Sequence, residues 1–214
     1  MFFDSLKSQT KETLEKLDAS SFFKETAAYL AGGTGLALHL GHRYSYDLDF
    51  FTQKDFGPET AIQFVSRLGQ FKLEQTGWKS IIGIFEKTKF SFLYYQYPLI
   101  KPLDKILTST SLASLEDIAA MKIAAISDRG KKRDFIDLFF LTKHFPLEKI
   151  LKFYDQKYKN LATNRTHILR SLIYFADAEP DPIPEMIKTV DWQEVQEFFK
   201  KEIIKISKNS NLIY

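Results

Sequence analysis

The sequence predicts an α+β fold: an α/β half to about residue 103, then an all-helical half. Three observations predict it. Residues 71–95 hold short runs rich in Ile, Phe and Tyr, separated by Gly, Lys and Thr, the mark of antiparallel strands. From Ser114 onward the apolar residues return at helical spacing. Between the two, Tyr97-Pro98-Leu99-Ile100-Lys101-Pro102 carries two prolines and reads as a connector.

In order along the chain, residues 4–17 read as an amphipathic helix with Leu6, Leu14 and Leu17 on its apolar side. Residues 22–31 read as a short buried strand or the end of a helix. Residues 35–40 give a helical turn or two, and residues 47–52 a strand. Residues 58–68 form a helix with Pro58 in its first turn and Ile62 and Val65 facing in. Strands follow at 71–78, 80–85 and 89–95. Ser114 and Asp117 have the spacing of a capping box, opening a helix that runs to Asp128. Further helices are expected at 133–145, 146–158, 165–175 and from Asp191 to about Ile206, with 179–184 as a proline-broken linker. The expected division is 1–103 and 104–214.

Composition narrows the function classes. Hydrophobic residues are 44% and aromatics 15%, enough for a sizeable core. There is no cysteine, which removes disulfides, thiolate zinc sites and thiol catalysis. The start is too charged for a signal peptide and no apolar run reaches a membrane span, so the expectation is a soluble, cytoplasmic protein with no membrane partner. Net charge is +3, and the surplus lies after residue 100, much of it in Arg129-Gly130-Lys131-Lys132-Arg133. That is a modest anion-binding signal.

The most informative stretch is 30–51, LAGGTGLALHLGHRYSYDLDFF. Its Gly32-Gly33-Thr34 turn opens a helical segment, where backbone amides can approach a phosphate. Neither a dinucleotide fingerprint nor a P-loop is completed, so by itself it reads as an ordinary strand-to-helix turn. Asp47 and Asp49, two apart on a strand, share one face. Their apolar neighbours Leu48, Phe50 and Phe51 put them at the edge of a core. Two such carboxylates suit Mg²⁺ shared with phosphate oxygens.

Other candidates are more ambiguous. Lys122, on a mainly apolar helix, and Arg129 seven residues on would share a face and could neutralise phosphates; a snorkelling lysine reads equally well. Asp134 and Asp137 share a face of the next helix, where pairing with Lys131, Lys132 or Arg133 is the plainer account. His39 reads as packing, and His42-Arg43 as a nucleotide or acid contact.

Taken together, the run from Leu30 to Phe51 resembles the first motif of the AbiEii/AbiGii-type nucleotidyltransferase toxins, of the DNA polymerase β-like superfamily: Gly-Gly or Gly-Ser, a spacer, then Asp-x-Asp. The block from Asp117 through Lys122 and Arg129 to Arg133-Asp134-Phe-Ile-Asp137 resembles the family's later Lys and Lys-Asp-x-x-Asp motifs. The resemblance implies a nucleotidyltransferase-like mixed β-sheet with flanking helices, followed by a C-terminal helical region completing an active-site cleft. It implies Mg²⁺- or Mn²⁺-dependent transfer of a nucleotidyl group from an NTP, with a tRNA 3′ end or other RNA as acceptor. A two-gene toxin–antitoxin or phage-defence setting and an antitoxin encoded nearby follow too. In it Gly33 and Thr34 hold the triphosphate, Asp47 and Asp49 the metal, and Lys122 the phosphates. Asp134 completes the site, and Arg129 and Asp137 support it; Arg43 remains a nucleotide contact on the reading of the residues alone. Ser91 stands where the superfamily usually carries a third carboxylate. Transfer to a protein or small molecule, and nucleotide binding without turnover, are the alternatives.

Overall fold

The computed structural model describes residues 1–161 and 164–209. It divides into two compact units, one from Met1 to Ser114 and one from Leu115 onward. Among the described residues no helix is long and apolar enough to cross a membrane.

The first unit is built on a seven-stranded mixed sheet. Its strands are β1 (Tyr29–Leu30), β2 (Asp47–Thr52), β3 (Phe71–Gly77), β4 (Ser80–Phe85), β5 (Thr88–Tyr94), β6 (Asp104–Lys105) and β7 (Ser111–Leu112). Their order across the sheet is β3-β4-β5-β2-β1-β7-β6. The expected meander is present, with β3, β4 and β5 antiparallel in turn. It joins β2 in parallel through β5, and β1 runs antiparallel to β2 on the other side.

Four helices belong to this unit: α1 (Ser8–Asp18), α2 (Phe22–Thr26), α3 (Gly32–Leu40) and α4 (Pro58–Leu68). Residues 22–31 contain both expected options, a helix and then a strand. Ala27, left-handed at φ 51°, closes α2 so that Tyr29 can enter β1. The core lies on the sheet face of Leu48 and Phe50, with Phe90 and Phe92 from β5, Leu14 and Leu17 from α1, and Val65 from α4. Phe22 of α2 is its hub, with ring centroids 5.3–5.9 Å from Phe50, Phe90 and Phe92. Because side chains alternate along a strand, burying Leu48 and Phe50 turns Asp47 and Asp49 to the opposite face.

The division expected at 103/104 is corrected by β7. Ser111–Leu112 pairs in parallel with Tyr29–Leu30, and Asp18 Oδ1 accepts hydrogen bonds from the Ser109 and Thr110 amides at 2.8 and 2.7 Å. Residues 104–114 therefore belong to the first unit. Two-residue strands carry no period for a sequence to display.

The second unit is helical: α5 (Leu115–Arg129), α6 (Lys132–Thr142), α7 (Leu147–Lys157), α8 (Arg165–Ser171) and α9 (Trp192–Asn209). Residues 162–163 and 210–214 of the expected second region lie outside the described residues. Gly130, at φ 53°, makes the turn from α5 to α6. Phe135 packs against Phe175, Trp192 and Phe199. The proline-rich linker is tied down over its first half: Glu179 accepts from Trp192 Nε1 and Gln196 Nε2, and Asp181 from the Lys132 amide. A buried ion pair, Lys157 Nζ to Asp117 Oδ1 at 2.6 Å, ties α7 to the start of α5.

Candidate active site

In the first unit the glycine turn and the aspartate pair meet. Ala31 leaves β1 in an extended conformation, and its amide donates to the Asp49 carbonyl at 3.2 Å. Gly32 then turns left-handed at φ 66° and begins α3, three residues earlier than the sequence suggests. A Cβ on Gly32 would lie 3.0 Å from Asp49 Oδ2, so both conformation and space favour glycine there. Gly35 is the first residue of α3 whose amide reaches a carbonyl one turn back, Ala31 O at 3.0 Å. The amides of Gly32, Gly33 and Thr34 therefore have no acceptor within their own helix, and Gly32 and Gly33 are half-exposed. This is an N-terminus suited to an anion, set against a carboxylate.

Thr34 sits differently from the expectation. It is buried, and its hydroxyl is engaged by Ser45 Oγ at 2.6 Å and the Asp47 carbonyl. Its side chain fixes the loop that delivers Asp47, leaving the backbone amide as its means of meeting a phosphate. Arg43 is buried too, with Nη1 donating to the Tyr44 carbonyl at 2.9 Å. His39 is tied to the Ala113 carbonyl at 2.8 Å, consistent with packing.

Asp47 and Asp49 are half-buried. The parallel pairing of β2 with β5 sets Lys89 opposite Asp47 and Ser91 opposite Asp49. Ser91 Oγ donates to Asp49 Oδ1 at 2.7 Å. The Ser91 hydroxyl thus orients the Asp49 carboxylate. Among the described residues no three His, Asp or Glu side chains gather as a metal cage. The donor set is two carboxylates on one face beside open amides, which fits a hard divalent cation that takes its other oxygens from a phosphate.

In the second unit Lys122, Asp134, Asp137 and Arg129 form one cluster. Lys122 Nζ lies 2.8 Å from Asp134 Oδ1 and 2.6 Å from Asp137 Oδ2. Arg129 holds Asp134 with two bonds, Nε to Oδ2 at 2.9 Å and Nη2 to Oδ1 at 3.1 Å. Both aspartates are fully buried and Lys122 nearly so, whereas the Arg129 side chain is 46% exposed. Burial alone would raise the pKa of Asp134, but the Lys122 charge and the Arg129 bonds outweigh it and hold the carboxyl below its ordinary value. The pairing expected with Lys131 or Lys132 gives way to this one. Lys131 pairs with Asp181, and Lys132 donates to the Glu179 carbonyl.

The sequence names Gly32 only as part of the glycine turn, without its place against Asp49, and does not single out Ser45. The doubled glycine after an apolar run was the available signal for Gly32. Ser45 carried none, because its partner lies eleven residues away across a loop.

Comparisons with known proteins bear on the chain as a whole. Residues 14–109 and 99–205 match the family model of the nucleotidyl transferase AbiEii toxin, type IV toxin–antitoxin system. An uncharacterised protein of Aquifex aeolicus is 36% identical over 209 residues, covering 95% of this chain and 98% of that protein. Among solved structures, MenT4, a nucleotidyltransferase toxin of Mycobacterium tuberculosis, superposes with a TM-score of 0.59 at 15% identity, over 92% of this chain and 84% of its own. The antibiotic-resistance factor ANT(2″)-Ia does so with 0.51 at 12% identity, over 70% and 91%. At those identities the two structures show a shared fold.

Proposed function

The chain belongs to the AbiEii nucleotidyl transferase toxin family, and on that premise we propose that it moves a nucleotidyl group from an NTP to an RNA hydroxyl, a tRNA 3′ end, using Asp47 and Asp49. The observation that carries this reading is the contact between the anion-ready turn and the acid pair, with Gly32 against Asp49 Oδ2. The Gly33 and Thr34 amides bind the triphosphate. Asp47 and Asp49 hold Mg²⁺ or Mn²⁺, which when bound polarises the phosphoryl oxygens and offsets their charge. Ser91 spends its proton on Asp49, fixing which oxygen faces the ligand.

Arg43, engaged with the Tyr44 carbonyl and buried, acts by shaping the loop before Asp47. Of the four residues clustered in the helical unit, Arg129 is the one open to solvent, so within that unit it, rather than Lys122, is the side chain open to an anion. Lys122, Asp134 and Asp137 hold it in place. A carboxylate whose proton affinity is lowered, as at Asp134, makes a weak general base, which argues against that role for it. A cognate antitoxin is the partner protein this reading implies.

Labelled-NTP incorporation into total tRNA tests the reading, one NTP at a time. Asp47→Ala and Asp49→Ala should each lower it at least about a hundredfold, while unfolding shifts by no more than about 1 kcal/mol. Incorporation that survives both changes would overturn the assignment. Splitting a labelled lysate into RNA, protein and small-molecule fractions decides the acceptor.

A further inference from the structure

We propose that the sheet beyond Asp47 and Asp49 is the acceptor subsite: a track for the phosphates of a single-stranded nucleic-acid end, carried by Lys89 and Lys72 over an isoleucine floor. The proposal rests on the reading above, in that it supplies the acceptor for the same aspartates.

The strand registers define the track. Asp47 lies opposite Lys89 on β5, Lys89 opposite Ile84 on β4, and Ile84 opposite Lys72 on β3. The next row reads Asp49, Ser91, Ile82, Gln75. Paired residues share a face, and the Ser91–Asp49 bond identifies it as the face of the acids. Phe71, Phe85, Phe90 and Phe92 take the other face and pack into or against the core, as alternation requires.

Along that face Lys89, Lys72 and Gln75 are exposed, and Ile82 and Ile84 are half-buried. Among the described residues neither lysine has an ion-pair or hydrogen-bond partner, in a unit where Lys16 and Lys79 both find acids. The two lysines stand two strand spacings apart, about 10 Å. That backbone separation lets successive phosphates of a phosphodiester chain meet one lysine each. β5 is also firmly placed. Its hairpin turns through Glu86 and Lys87 at φ 47° and 69°, and Thr88 shares a buried 2.8 Å bond with Thr13.

Position relative to the glycine turn separates this surface from the donor side. In the sheet order β4-β5-β2-β1, the turn follows β1 and the lysines stand on β5 and beyond. The acids on β2 are therefore flanked by an amide cradle on one side and by Lys89 on the other. An in-line displacement needs its attacking and leaving oxygens on opposite sides of the phosphorus. With the triphosphate on the turn, the acceptor enters over β5. Its terminal phosphodiester meets Lys89 and an upstream phosphate meets Lys72, while bases lie on Ile82 and Ile84. Its 3′-hydroxyl attacks the α-phosphorus and loses its proton to solvent water, the bond from the α-phosphorus to the bridging oxygen breaks, and pyrophosphate departs with that oxygen.

The experiment is fluorescence anisotropy of the full chain with a labelled single-stranded RNA oligonucleotide bearing a free 3′-hydroxyl, titrated across salt. Lys89→Ala and Lys72→Ala should each weaken binding about five- to tenfold. Each should also reduce the slope of log affinity against log salt by about 0.7, the value for one phosphate contact on a single strand. Lys89→Arg should keep the slope. Binding of each NTP with Mg²⁺, measured by calorimetry, should stay within about twofold of the unmodified chain. An unchanged salt slope overturns the proposal. So does a Lys89→Ala loss that falls equally on NTP binding, which would put that lysine on the donor. Failure of the catalytic reading looks different: transfer persists in Asp47→Ala and Asp49→Ala while the lysine slopes change as expected.

Discussion

Asp47 and Asp49 on a strand, and Asp134 and Asp137 on a helix, are two close pairs of carboxylates in opposite surroundings. The strand pair is half-buried, and Asp49 is steadied by a neutral serine hydroxyl. The helix pair is fully buried and shares one lysine, with an arginine on Asp134. A pair whose charge is already matched by fixed cations has no need of a metal. Asp49, steadied by a neutral hydroxyl, keeps its negative charge for a ligand. On the proposed function, the contrast gives recruitment of the cation to the sheet and a holding role to the helical cluster.

The sharpest way to break the comparison is Lys122→Ala. It would leave Asp134 and Asp137 buried without their common cation. Removing one partner of a buried pair costs about 3–5 kcal/mol, to be read by urea unfolding of the full chain. A loss below about 1 kcal/mol would mean that the cluster is hydrated and that Lys122 is free to serve a ligand. Gly32→Ala comes next. A left-handed non-glycine residue costs about 1–2 kcal/mol, and the new Cβ would sit 3.0 Å from Asp49 Oδ2. We expect transfer to fall at least about tenfold with stability lowered by about that amount. Full transfer would show that the turn and the carboxylate need not touch.

The sequence displayed the sheet side of this comparison better than the helical side. β2 and α4 have the bounds their patterns imply, Asp47–Thr52 and Pro58–Leu68, because alternation and an N-terminal proline are local signals. The side-by-side placement of Asp47 and Asp49 follows from strand period alone. Three things were not legible. The burial of Thr34 depends on Ser45 across a loop, and β7 is too short to show a period. The fate of Lys122 depends on a helix twelve or more residues away. Helical spacing says which residues share a face, but not what the face packs against.

Acid sensitivity sharpens the contrast further. The folded-state pKa of Asp134 is below its unfolded value, so its contribution is present above that unfolded value and is lost as pH falls through the folded one. Asp18 behaves the same way in the first unit. Burial would raise it, but the Thr110 hydroxyl and the Ser109 and Thr110 amides prevail. Stability should therefore decline from about pH 4 downward, and Asp134→Asn and Asp18→Asn should each flatten part of that decline in urea midpoints. A decline of unchanged steepness in both variants would show that neither carboxylate carries it.

The smallest effect, and the most discriminating, belongs to Ser91→Ala. The change removes the 2.7 Å donor to Asp49 Oδ1 and leaves the carboxylate charged and half-exposed to water. Solvent can replace most of that bond, so stability should move by less than about 1 kcal/mol. Orientation is harder for water to replace. A hydrogen bond whose value lies in fixing one oxygen should appear as a drop of about fivefold in kcat/KM, or about 1 kcal/mol, with the dependence on Mg²⁺ concentration shifted upward. If Ser91 were itself the proton acceptor for the RNA hydroxyl, the drop would be about a hundredfold or more, with no change in Mg²⁺ dependence. Measuring kcat/KM for the variant across Mg²⁺ concentrations separates a serine that steadies Asp49 from one that replaces the absent carboxylate.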